Sequence, residues 1–240
     1  MKDSSIAISR AAIVLGAYAL LLACTTTVKV PPVAVLPEVG VPDLRGTRVF
    51  DVDSQASEVH IHVFRGGTLA RLGHNHVVTS KDVRGYVWLH AKPERSGFDL
   101  TFPVAQLIVD DPVARAAAGS EFPGEIAPED REGTRKNMLR AEVLDAQSHP
   151  TIRLQSTHVS GSLDLPRITT RITIKGVARD VLVPVEVGVV DGRLTASGAF
   201  DVLQTDFGIK PFSIGLGALE VQDRLHIEFK LVANLRTSES

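Results

Sequence analysis

The chain has a single cysteine, Cys24, in 240 residues. No internal disulfide can form, so any folded domain must be held by burial. Aromatic residues make up only 5% of the chain and valine outnumbers them, so an apolar interior built from this sequence leaves room for a slender guest. There is no excess of basic charge. The formal net charge is −2, and removing residues 1–23 with Lys2, Arg10 and Asp3 leaves 24 basic against 27 acidic side chains, or −3; a nucleic-acid-binding domain would be basic. No apolar run reaches the ~20 residues that cross a bilayer as a helix. Serines are plentiful, but none sits in a Gly-x-Ser-x-Gly elbow, and no paired carboxylates stand on one apolar face, so nothing in the chain argues for an enzyme.

What the N-terminus does contain is an address. Lys2 and Arg10 precede an apolar stretch, Ala11 to Ala23, that is too short to span a membrane and reads as an export signal over residues 1–23. Its end, Leu21-Leu22-Ala23-Cys24, resembles the lipobox of bacterial lipoproteins. That resemblance implies diacylglycerol and an acylated amino terminus on Cys24, a membrane anchor on the periplasmic side and, with Thr25 rather than Asp next in line, the outer membrane over the inner. Several acyl chains on one residue anchor firmly, since each buried methylene contributes ~0.8 kcal/mol. The alternative is a plain secretory signal with a chance cysteine. Residues 24–45 carry three threonines and Pro31, Pro32, Pro37 and Pro42, a composition that stays extended and serves as a spacer. Residues 46–236 remain for one all-β domain of about 190 residues.

Alternation of period two dominates that domain. Val181, Val183, Val185, Val187 and Val189 fall on one side of a strand, Asp191-Gly192 supplies a left-handed hairpin turn, and Leu194, Ala196, Gly198 and Phe200 return on one side of the next. Near the C-terminus Leu225, Ile227, Phe229 and Leu231 oppose Arg224, His226, Glu228 and Lys230. Val59, Ile61 and Val63 alternate with Glu58, His60 and His62, and Phe98, Leu100 and Phe102 with Asp99 and Thr101. Each strand has one face for water and one for a core, which predicts an extended antiparallel β-barrel of about eight strands. Tyr86 and Trp88 share the polar face of their strand with Arg84 and His90, so something should cover them. The candidate is the one region where the period changes, Asp110 to Pro150: Thr134 is placed to N-cap a single short helix carrying Met138, Leu139 and Val143, after an irregular loop with Gly119, Pro123, Gly124 and Pro128. Asp110 and Asp111 before Pro112 read as turn chemistry.

Several motifs in order carry a family resemblance. Ile172-Thr173-Ile174-Lys175-Gly176-Val177, Ala196-Ser197-Gly198-Ala199-Phe200 and Thr205-Asp206-Phe207-Gly208-Ile209-Lys210-Pro211, with Met138-Leu139 and His149-Pro150-Thr151-Ile152 before them, resemble the YceI-like family of bacterial periplasmic proteins. The resemblance covers roughly Arg48 to Leu235. It implies a lipocalin-like barrel that holds a polyisoprenoid or quinone-like lipid in an apolar tunnel, with no enzymatic activity and no required cofactor, and it leaves homodimerisation open. The expected tunnel wall comprises the stripe Val59, Ile61 and Val63, then Val87, Phe98 and Leu100, then Phe200, Phe207 and Phe212. His158 continues the side of Ile152 and Leu154, so it is expected to point inward, as a satisfied core residue or as a polar contact for a lipid head group.

Two other readings stay open. His60-Ile61-His62 and His74-Asn75-His76 are His-x-His pairs. On a strand, residues i and i+2 point the same way about 6.6 Å apart and can converge on one metal ion or redox cofactor. Against a metal, His60 and His62 share a face with Glu58 opposite the apolar stripe, which reads as a solvated exterior. His74 and His76 also depart from the family's common pattern. The remaining reading is a structural interaction domain whose barrel is filled by its own side chains, since a barrel of this size admits either outcome. Small residues at Gly85, Ala196, Gly198 and Ala233 favour a hollow.

Overall fold

A computed structural model describes Leu36 and residues 38–237. The export signal, Cys24 and most of the spacer lie outside the described residues. Among the described residues no helix is long and apolar enough to cross a membrane.

The 13 strand segments of the sheet resolve into about eight long strands, the number at which a barrel interior is just wide enough for side chains or one small ligand. β1 (Arg48–Val52) and β2 (Glu58–Gly66) form one broken strand, and β3 (His76–Ser80) and β4 (Arg84–Leu89) form the next. β5 (Gly97–Pro103) and the two-residue β6 (Ile108–Val109) form a third. β2 pairs with β3, and β1 with β4, so the two halves of each broken strand stay side by side. β7 (Thr151–Gly161), β8 (Pro166–Ile174), β9 (Val177–Pro184), β10 (Glu186–Val190) and β11 (Arg193–Leu203) continue the meander. After the short β12 (Ser213–Ile214), β13 (Leu219–Leu235) pairs with β11 on one edge and with β2 and β1 on the other. Every pairing is antiparallel. Among the described residues the circuit stays open at one place: β9 pairs only with β8, and β10 only with β11, with a single residue, Val185, between them.

Two turns of the same kind fix the register of this half. Lys175-Gly176 and Asp191-Gly192 both have positive φ at both positions, 51° and 74°, then 49° and 75°. They join Ile174 to Val177 and Val190 to Arg193 as directly paired neighbours. Two successive left-handed residues match the twist of a tight hairpin, and a one-residue slip would turn every valine of β9 outward. Gly198 serves a different purpose. A Cβ there would lie 2.5 Å from the Pro184 carbonyl oxygen and 2.9 Å from the Phe229 ring, so only glycine lets the β9–β10 junction close against β11.

The connection between β6 and β7 holds two helices, not one. α1 (Pro112–Ala117) is N-capped by Asp111, whose Oδ1 accepts from the backbone of Val113 and Ala114. α2 (Pro128–Met138) begins six residues before the predicted Thr134 cap, with Pro128 in the first turn and Glu129 and Asp130 behind it. Proline suits that position because its missing N–H would be unpaired anyway, and the acidic pair complements the helix dipole. Nor does this segment cover Tyr86 and Trp88. The Arg236 guanidinium lies over Tyr86, and the Trp88 indole donates to the Arg95 carbonyl at 3.1 Å within the β4–β5 turn.

The helical segment serves the opposite end of the barrel. Met138, Leu139, Leu144 and Ala146 pack on Val78, Val104, Leu107 and Val109. Phe207 and Ile209, from the turn after β11, are 1% and 4% exposed and pack with Ile172 and Val202. These two insertions fill the base, and Phe207 and Ile209 pack in the region where β9 and β11 approach without pairing. The remaining core, around Phe50, Val83, Leu100, Ile168, Val183 and Leu231, occupies the other half.

Candidate ligand-binding cavity

The half of the barrel away from the helical plug is hollow. A cavity of about 120 Å³ lies between β2, β4, β5, β7, β8, β9, β10, β11 and β13. It is of the order of the engineered apolar cavities of about 150 Å³ that stay dry and admit benzene. Leu100, Phe102, Ile168, Val183, Leu194 and Leu231 give it a buried wall, and Ala196 keeps one side short. Phe200 and Phe229, ring centroids 6.3 Å apart, also line it. Among the described lining residues only Ser96, Thr170 and Lys230 carry polar side chains, and Lys230 is exposed. Among the described residues no carboxylate or imidazole lines the space, which suits hydrocarbon better than a polar guest. The lining extends to the turns after β4 and β7, at Ser96 and at Leu163, which is 40% exposed.

Of the expected wall, Val59, Val87, Phe98, Leu100 and Phe200 line this cavity. Ile61 and Val63 face the interior but pack against the core that fills the base, and Phe207 belongs to the plug. Phe212 is half-buried outside both. These corrections share one cause. Ile61 and Val63 of β2 and the Phe207 turn lie at the plugged end while Val59 does not, because alternation along a strand fixes the face of a residue but not its height in the barrel.

His158 is a second correction, since it is exposed. Ser156 pairs with Thr170, but His158 pairs with Thr169, so Thr157 is an inserted bulge residue. One extra residue reverses the alternation. Val159, 4% exposed, takes the inward place that the pattern assigned to His158.

The histidine pairs do not converge. His62 stands opposite Val77 and His76 opposite Val63, which places them on opposite faces of the β2–β3 pair. Among the described residues no group of three or more His, Cys, Asp or Glu side chains is arranged to hold a metal ion. His62 lies outside the barrel as expected, but it is not solvated: it is 7% exposed, with the Phe122 ring 5.1 Å away and the His226 ring at 5.7 Å. Burial pushes its basicity down, as do the charges of His226 and His60, with Glu228 opposing. His76 Nδ1 lies 2.6 Å from Asp110, which also accepts from Arg115 at 2.9 Å and from the Val77 N–H at 3.0 Å. Burial raises the Asp110 carboxyl, but these partners outweigh it and hold it below the ordinary value. Arg115, 2% exposed, donates as well to the carbonyls of Asn75, Pro123 and Gly124. This buried cluster pins the α1 loop to β3, and its one sequence signal was the Asp110-Asp111-Pro112 turn.

An antiparallel barrel of about eight strands with an oily half-cavity is the architecture of a lipocalin-like binding protein. The sequence profile of the YceI-like domain matches residues 50–233, and the chain belongs to that family. BcnA of Burkholderia cenocepacia superposes with a TM-score of 0.56 at 20% identity, covering 77% of this chain and 100% of that one. A polyisoprenoid-binding domain from Saccharophagus degradans, implicated in plant cell wall breakdown, superposes with a TM-score of 0.52 at 10% identity over 78% and 98% of the two chains. At these identities the likeness is one of fold. No curated protein matches the sequence.

Proposed function

We propose that this protein is a non-catalytic lipid carrier that holds a polyisoprenoid or isoprenoid-quinone-like chain in the hollow half of its barrel. The observation that carries this reading is the cavity: its buried wall is apolar but for the Thr170 hydroxyl, and no carboxylate or imidazole stands among its described lining residues. Family membership and the polyisoprenoid-binding neighbour support the ligand class. Each isoprene unit adds apolar surface, and at ~25 cal/mol per Å² buried, a few units offset the cost of ordering the chain. Affinity should therefore rise with chain length until the plug at Phe207 stops the tail. The protein works without a cofactor in this reading. Lipid on Cys24 would tether it to the periplasmic side of a bacterial membrane, the outer one by its Thr25, with residues 25–45 as the spacer.

Native mass spectrometry combined with solvent extraction of protein purified from its native membrane tests the ligand. One organic-extractable isoprenoid per chain is expected. A chain that is repeatedly empty and also refuses added polyprenol would contradict the reading.

A further inference from the structure

The hydrogen-bond ladder between β5 and β7 stops at Asp99 and Gln155. Beyond it a side chain takes over: Ser156 Oγ accepts from the Phe98 N–H at 2.9 Å. A Cβ on Gly97 would lie 2.2 Å from that oxygen. The Thr157 bulge then carries β7 away. Outside this splayed seam lies a groove of about 400 Å³, and Ser96, Phe98 and Val159 line both it and the apolar cavity. Those three side chains are the shared wall. Trp88, Gln155, Thr157 and His158 line the groove. Gln155 Nε2 donates to Asp99 Oδ2 at 3.1 Å and the Thr157 hydroxyl to the Thr169 carbonyl at 3.1 Å, so a head group would be met by the Gln155 and Thr157 side-chain oxygens as acceptors and by the His158 imidazole. Its far side is the chain's own approach segment, Glu38–Asp43. That segment is held near its end by exposed contacts, with Arg95 Nη2 donating to Asp43 Oδ2 at 3.3 Å and to the Arg45 carbonyl at 3.2 Å. Exposed contacts of this length hold weakly.

We propose that this groove is a head-group subsite for an amphiphilic isoprenoid with an uncharged alcohol or carbonyl head, and that Glu38–Asp43 is its removable cover. The inference rests on the lipid-carrier reading above. The tail would occupy the cavity through the seam at Phe98 and Val159, and the head would stay among Gln155, Thr157 and His158. A diphosphate head fits poorly. Glu38, Asp43, Glu94 and Asp99 all border the groove, and its two arginines are committed, Arg95 to Asp43 and Arg171 to Asp180 at 2.8 Å through both Nε and Nη2. An anion would find both arginines already paired, with four carboxylates on the border, of which Asp43 and Asp99 are also held by Arg45 and Arg153.

The test uses three C20 probes on the full-length protein: geranylgeraniol, geranylgeranyl diphosphate and the headless hydrocarbon phytane. Trp88 is the only tryptophan, so its emission reports the groove directly. Geranylgeraniol should shift Trp88 emission and phytane should not, and the alcohol should bind more tightly than the diphosphate. The double variant Gln155→Ala/His158→Ala should weaken geranylgeraniol at least fivefold and leave phytane within twofold. Arg95→Ala, which frees the cover, should speed association without weakening the tail. Tighter binding of the diphosphate, or equal effects of the double variant on alcohol and hydrocarbon, would overturn this subsite and leave the carrier reading intact. If none of the three probes binds the wild-type chain, the carrier reading falls and the subsite with it.

Discussion

The two ends of this barrel are built from the same kind of strand and have opposite interiors. At the base, Met138, Leu139, Leu144, Phe207 and Ile209 enter from connecting segments and fill the space the strands leave. At the other end the connections insert no comparable apolar group, only Ser96 and Leu163 reaching the rim, and the wall offers Val183, Val185 and Ala196 where a filled core needs larger groups. A β-barrel therefore becomes a container through its loops as much as through its strands. Whichever end receives an inserted side chain becomes core, and the other stays available.

That contrast can be broken most strongly at the plug. Phe207→Ala removes a side chain 1% exposed and should cost about 3–5 kcal/mol of stability, read by denaturant unfolding, while affinity for a polyprenol in the folded protein changes less than twofold. A comparable loss in affinity would mean that the base is part of the binding space. Next in size is Arg115→Ala. It strands the Asp110 carboxylate beneath the α1 loop and should cost about 3 kcal/mol, with faster amide exchange in residues 110–127 than in β9–β11. A uniform rise in exchange would show that the loop and barrel open together.

The hollow end should respond in the opposite sense. Ala196→Phe fills the cavity and should weaken polyprenol binding at least tenfold, about 1.4 kcal/mol, while altering stability by less than about 1.5 kcal/mol. Titration calorimetry with thermal unfolding separates the two effects. The smallest effect concerns pH. His62 loses basicity on folding, so the unfolded chain binds more protons below its ordinary value of ~6.5. Stability is full above that pH and declines as pH falls through 6.5 towards the folded value. The melting temperature should drift downward from pH 7 to pH 5, and His62→Gln should flatten that drift. An unchanged slope would place the acid sensitivity elsewhere.

The inward and outward faces of β8 to β11 and β13 were legible because alternation and two left-handed turns specify them together. Alternation alone placed Val59, Val87, Phe98 and Leu100 on the inward faces of β2, β4 and β5, and with Phe200 of β11 they make five of the ten expected wall residues that line the cavity. Ile61, Val63 and Phe207 were assigned the right side and the wrong end, since height in a barrel depends on register around the whole circuit, which no local pattern carries. His158 was lost to the bulge at Thr157: Ser156-Thr157-His158 alternates as well as any strand, and the extra residue is visible only against β8. The helix start was missed because Thr134 is a good cap in isolation, whereas Pro128 followed by Glu129 and Asp130 is a better beginning. The groove beside Ser156 had no signal in one strand, because it arises where two strands part.

Soaking crystals with a prenol brominated along its tail tests the central contrast most directly, because the anomalous signal of bromine locates the tail without assumption. The account predicts bromine among Val87, Leu100, Ile168 and Val183, at one molecule per chain, and none among Val104, Leu107 and Phe207. Bromine confined to the surface, or embedded in the base in place of the plug, would contradict it.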